Sequence, residues 1–228
     1  MAEQSPVASK GDGSGTAPAA TTAKKAEMAL VRFVNATTET KGLAFGDTTP
    51  FPEVKAHDVS AYKEVPAQRH DFKLLPENAA GSQPLATNSE GLSAGKHYTV
   101  IAYAEKDGTM KLDPISDDLQ MPAAGQAKVR VINLAPSLEK VDLYATGKKS
   151  PVISGTSVDS ASDFTDINPS EAELMVRHGI SKKNSAPVKD LTMKAGRLYT
   201  ILVFQDKNRN IKVKSVEDEF TAPMGSNG

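Results

Sequence analysis

From Ala29 onward, short apolar stretches alternate with polar residues, and Gly, Pro, Asn and Asp interrupt them every ten residues or so. Val31 and Phe33 flank Arg32, Leu43 stands two residues before Phe45, and Phe72 and Leu74 flank Lys73. Each stretch therefore places its apolar side chains on one face of a strand. No segment carries a helical stripe, and the pattern predicts an all-β chain. Two stretches break the alternation: residues 98–103 and residues 199–204 carry large apolar or aromatic side chains on both faces. A central strand covered on both sides has that pattern, and one of its outer faces is expected to form a contact between modules.

The pattern repeats. Val31-Arg32-Phe33-Val34-Asn35 recurs as Val129-Arg130-Val131-Ile132-Asn133, 98 residues later, and Ala94-Gly95-Lys96-His97-Tyr98-Thr99 recurs as Ala195-Gly196-Arg197-Leu198-Tyr199-Thr200, 101 residues later. Leu43 and Phe45 fall on Val141 and Leu143, and Met110-Lys111-Leu112 falls on Ile211-Lys212-Val213. Seven or eight short strands per copy make each repeat a complete sandwich. The predicted architecture is two tandem antiparallel β-sandwich (immunoglobulin-like) modules, over residues 28–121 and 126–221. Pro122-Ala123-Ala124-Gly125 forms a short linker that should bring the modules into contact.

Composition changes the picture at the ends and removes some partners. Residues 1–27 are Ala, Ser, Thr, Gly and Pro with few large apolar side chains, too little to offset chain ordering, and are expected to form a disordered tether. Residues 222–228 are expected to form a disordered tail. Such a tether points to the bacterial envelope, on its periplasmic or extracellular face, with the export signal already removed and a lipid anchor possible before processing. A net charge of −1, with basic and acidic residues interspersed, argues against nucleic acid. The chain has no cysteine and no run near the ~18 apolar residues of a membrane span.

The repeated residues resemble a bacterial extracytoplasmic family catalogued as a domain of unknown function, whose tandem copies read V-R-V-x-N-x-x-P, V-D-V-Y, Y-x-x-V-P-A-G and L-x-A-G-x-x-Y-T-V-x-A. Here these are residues 129–136, Val141-Asp142-Leu143-Tyr144, Tyr62-Lys63-Glu64-Val65-Pro66-Ala67 and residues 92–102. Gln68 stands where the motif has glycine, and Ala44 where the first copy would carry the acid. More faintly the chain is similar to two-domain periplasmic accessory proteins of alginate O-acetylation. Neither resemblance supplies catalytic residues. The primary expectation is a non-catalytic binding or scaffold protein for a protein or polysaccharide partner; the fainter resemblance implies the alternative, an accessory subunit of an exopolysaccharide O-acetylation complex.

Individual constellations add little chemistry. His57, His70, His97 and His178 are not spaced as a metal pair, and His97, which replaces Leu198, is expected to pack. Gly155-Thr156-Ser157-Val158-Asp159 lacks the second glycine of a nucleophile turn. Asp206, Asn208, Asn210 and Glu217 copy oxygen positions of a calcium loop, but Ile211 replaces the turn glycine, and turn chemistry accounts for them. The acidic pairs Asp117-Asp118 and Glu217-Asp218-Glu219 recur in both copies and are expected to cap the last strand with solvated charge. Asn35 and Asn133 should satisfy backbone groups where the first strand ends. No cofactor, metal or catalytic residue is predicted. The candidate binding residues are Phe51, in an insertion of the first copy, together with Tyr144 and Asp142; Phe51 serves either recognition or as an apolar plug.

Overall fold

The computed structural model describes residues 27–45, 51, 53–78, 82–169, 173–178 and 185–218. The expected tether, up to residue 26, and the expected tail lie outside them. The first module carries β1 (Met28–Asn35), β2 (Lys41–Phe45), β3 (Asp58–Val59), β4 (Lys63–Pro66), β5 (Arg69–Pro76), β6 (Ala86–Gly91), β7 (His97–Ala104) and β8 (Met110–Asp117). The second carries β9 (Ala127–Leu134), β10 (Lys140–Ala145), β11 (Ile153–Ser157), β12 (Ser160–Ala161), β13 (Thr165–Ile167), β14 (Leu174–Arg177), β15 (Ser185–Pro187), β16 (Leu198–Gln205) and β17 (Ile211–Asp218).

Each module is a two-sheet sandwich, so the described chain is all-β. In the first, an inner sheet ordered β3-β1-β7-β8, with β4 also on β1, faces an outer sheet β2-β5-β6. In the second, β12-β9-β16-β17, with β13 also on β9, faces β11-β10-β14-β15. All pairs are antiparallel except β1 with β7 and β9 with β16. This single parallel pair per module is possible because the chain crosses to the outer sheet and back between the paired strands.

Alternation builds three apolar layers. Val31, Phe33 and Val100 of the first inner sheet pack on Leu43, Phe72 and Leu74 of its outer sheet. Val129, Val131, Ile201 and Val203 pack on Val141, Leu143, Leu174 and Val176 in the second module. The third layer lies between modules: Val34 and Ile101 meet Ile132, Leu134, Leu202 and Phe204. The order is therefore outer, inner, inner, outer, and the two strands apolar on both faces, β7 and β16, occupy the centre.

The repeated A-G and Tyr have a local cause. Gly95 and Gly196 adopt φ of 75° and 77° in the turn entering β7 and β16, a conformation that costs an L side chain. The Tyr98 hydroxyl accepts from Ser93 N, and the Tyr199 hydroxyl from Lys194 N, both at 3.0 Å, closing each turn against the strand that follows. Asn35 ends β1 by donating from Nδ2 to the carbonyls of Glu39 (2.8 Å) and Val54 (2.7 Å) while Oδ1 accepts from Thr37 N (3.0 Å). Asn133 repeats this with Leu138, Thr156 and Ala135. Both asparagines are fully buried, as their backbone role requires.

Candidate functional site at the junction of the modules

Arg32 and Arg130 sit on the junction face of β1 and β9, between residues that point into each module's own core. Both are buried, and so are the carboxylates that end β8 and β17, Asp117 and Asp218. The pairing is reciprocal. Arg32 Nη1 meets Asp218 Oδ1 of the other module at 2.7 Å, and Arg130 Nη2 meets Asp117 Oδ1 at 2.5 Å. Two buried threonines join the pairs: Thr99 Oγ1 accepts from Arg32 Nε (2.9 Å) and donates to Asp117 Oδ2 (2.7 Å), and Thr200 Oγ1 accepts from Arg130 Nε (2.9 Å) and donates to Asp218 Oδ2 (2.7 Å). Arg32 Nη2 also reaches Thr200 Oγ1 at 3.3 Å.

Electrostatics hold Arg32, Asp117 and Tyr62 in their charged or donating forms. Burial works against the charge on Arg32, but Asp218, with Asp117 behind it, holds the guanidinium above its ordinary value. Burial likewise pushes the Asp117 carboxyl up, and Arg130, Arg32 and the Thr99 hydrogen bond overcome it to hold that group below its ordinary range. Tyr62, covered by the Arg32 guanidinium at 4.7 Å from its ring centroid, donates its hydroxyl to Asp117 Oδ2 at 2.8 Å. Burial raises its phenol far above the usual value, so it remains a donor. Phe164 holds the matching place over Arg130, also at 4.7 Å, without a hydroxyl.

Two grooves flank this network, one on each side of the pseudo-two-fold relation. The first, about 380 Å³, includes Arg32, Ser60, Tyr62, Lys214 and Glu217. The second, about 320 Å³, includes Ser116, Asp118, Lys128, Arg130, Asp163 and Phe164. A third opening of about 440 Å³ lies at one end of the junction beside Glu105 and Asp159. There, burial together with Glu105 and Asp113 pushes the Asp159 carboxyl up.

The residues singled out from sequence fall elsewhere. Phe51 is only 3% exposed and packs in the first module's core, with Lys63 Nζ 5.8 Å from its ring centroid. Its ring is thus the apolar plug and not an exposed platform, packed in the same core as Val54, Val65 and Phe72. Tyr144 and Asp142 share the outward face of β10, each half-buried. Tyr144 lies under the Arg177 guanidinium at 4.1 Å. Asp142 Oδ1 accepts from Gly155 N at 2.7 Å, at the register shift between Val141 and Leu143. These two form a surface pair remote from the junction, and Phe51 does not join them.

Other sequence readings are corrected or located. Asp118 is exposed, but Asp117 and Asp218 are not solvated strand caps: they are buried and paired across the junction. Asp206 Oδ1 accepts from Asn208 N and Asn210 N, both at 2.9 Å, so its carboxylate closes its own turn. His97 is buried with its ring edge-on to Tyr62 at 5.2 Å, and His57 packs on Phe204 at 5.4 Å. Among the described residues no three His, Cys, Asp or Glu side chains are grouped to hold a metal ion. The network itself was missed by sequence reasoning. Its signal was present: Arg32, Thr99 and Asp117 each recur, as Arg130, Thr200 and Asp218.

The profile of a family described as "Domain of unknown function (DUF4397)" matches residues 29–144, nearly all of the first module and the second as far as Tyr144 in β10. No curated protein matches the chain. Among solved structures, a chain from the work titled "Alpha-glucan binding by a streptococcal virulence factor" aligns over 80% of this chain and 95% of its own, at 14% identity and a TM-score of 0.24. The faint likeness to accessory proteins of alginate O-acetylation has no counterpart in these comparisons.

Proposed function

The chain belongs to the DUF4397 family, and from that premise we propose that it is a non-catalytic binding body of the bacterial envelope, holding two β-sandwich modules in fixed opposition for a protein or polysaccharide partner. The junction carries this reading. Four buried charged groups and two threonines are committed to holding one inner sheet against the other, an arrangement that favours a single relative orientation because any slip leaves an arginine or carboxylate buried and unpaired. The two outer sheets then face opposite ways at a set spacing, which suits a body that bridges or presents. The outward face of β10, with Tyr144, Asp142 and the stacked Arg177, is the surface offered for contact.

The test uses the full chain immobilised and exposed to envelope extract. Retention of a protein or polymer by the native chain, reduced in Arg32→Met, is the expected result. Recovery of nothing, or equal retention after the junction is weakened, overturns the reading. Cell fractionation with an antibody to the chain tests the envelope location: signal confined to the cytoplasm overturns it.

A further inference from the structure

The two junction grooves are built from equivalent positions, yet they differ in how their polar groups are used. In the groove of Tyr62, the polar side chains other than Ser215 are committed to partners within the chain. Arg32 serves Thr99, Thr200 and Asp218; Tyr62 serves Asp117; Lys214 Nζ is paired with Asp58; and Glu217 pairs with Arg197 at 3.4 Å. Ser60 Oγ accepts from Phe33 N and donates to the Ala61 carbonyl.

The groove of Phe164 is different. Arg130 is 3% exposed, and of the five N–H donors of a guanidinium it uses one on Thr200 and one on Asp117. The other three have no acceptor among the described residues, and Arg130 lines the groove. The side chains of Lys128, Ser116 and Asp163 likewise have no partner among the described residues, and Asp118 receives only Gln120 Nε2 at 3.1 Å.

We propose that the groove of Phe164 binds a neutral saccharide unit. Its charges favour no ion: Lys128 and Arg130 are balanced by Asp118 and Asp163 along the groove, and Arg130 is already paired with the buried Asp117. What they suit is a ligand whose groups both donate and accept. A sugar hydroxyl can accept from Arg130 or Lys128 and donate to Asp118 or Asp163, and Phe164 supplies the apolar wall that sugar C–H faces need. The groove's volume, about 320 Å³, accommodates one such unit. This deepens the polysaccharide branch of the function proposed above and rests on it only for the source of the sugar.

The experiment is an amide NMR titration of the full chain with methyl α-D-glucoside, methyl α-D-mannoside and N-acetyl-D-glucosamine in turn. At least one probe should give saturable shifts clustered at Ser116, Lys128 and Ser162. Lys128→Ala and Asp163→Ala, which lie outside the ion-pair network, should each weaken that probe about tenfold with an unchanged melting temperature. Lys214→Ala in the twin groove should leave it unaltered. The proposal is overturned if no probe shifts these amides, if shifts map to the twin groove or the outer sheets, or if the two substitutions change nothing. Capture of a partner from extract without any sugar response sinks this inference alone. A sugar response without any captured partner sinks the bridging function and leaves the groove.

Discussion

The Tyr62 hydroxyl donates to Asp117 Oδ2 at 2.8 Å, and Phe164, its counterpart across the junction, offers Asp218 nothing. Phe164→Tyr should therefore add a phenol donor beside the second carboxylate and raise stability by about 1 kcal/mol, whereas Tyr62→Phe should lower it by about the same or somewhat more. Urea denaturation midpoints of the three proteins check this. A Phe164→Tyr protein no more stable than the native one would show that the two halves are not equivalent at this point.

The ion pairs predict an asymmetry between breaking and replacing. Arg32→Met leaves Asp218 buried without its partner and should cost about 3–5 kcal/mol. Arg32→Met combined with Asp218→Leu should recover most of that loss, since the desolvation cost of both charges disappears together. A double-mutant cycle by chemical denaturation measures the coupling, and simple additivity of the two changes would contradict it.

Acid should open the junction. The carboxyl of Asp117 is held below its ordinary value in the folded protein, so its contribution is fully present above the unfolded value near ~4 and is lost as pH falls through the folded one. Small-angle scattering should show the two modules separating or unfolding only below about pH 4. In Asp117→Asn the acid limb should be shallower. An unchanged acid limb in that variant would assign the transition to other carboxylates.

Asp159 carries the opposite sign. Its carboxyl is pushed up by burial, Glu105 and Asp113, so its ionisation works against the folded state once pH rises through that value. Asp159→Asn should raise the melting temperature at neutral pH, with the gain shrinking in high salt and vanishing in acid. Equal melting temperatures at neutral pH and low salt would remove Asp159 from the electrostatics of the junction.

Asn35 and Asn133 test the local part of the fold. Asn35→Asp keeps the shape but loses both Nδ2 donations to buried carbonyls and should cost about 3 kcal/mol. Asn133→Leu should cost a comparable amount. Thermal melts suffice to see losses of that size, and near-native melting in both would refute the backbone role.

Which of these features could be read from the sequence follows from how far apart the partners lie. Gly95 and Tyr98 act within a few residues of themselves, and Asn35 does so through Thr37 and Glu39, so the repeated local motifs exposed them, although not the reach of Asn35 to Val54. The core faces of β1, β5 and β9 followed from alternation, and β7 and β16 revealed a second buried face. Arg32 and Asp218 lie on different modules, and no local pattern names their pairing. Alternation did require that Asp117 and Asp118 point to opposite sides; the buried arginine opposite completes the logic. Phe51 could not be placed because an aromatic ring in a Pro-flanked insertion fits equally well over a core or on a surface, and only the path of the chain decides.

A symmetric pair of separate molecules must accept every substitution twice, once on each side of its axis. Here the two halves of the junction are encoded separately in one polypeptide, so each can change alone. Tyr62 against Phe164, and Lys214 against Asp113, already differ across the same axis. Covalent fusion thus lets one side serve cohesion while its mirror is released to vary.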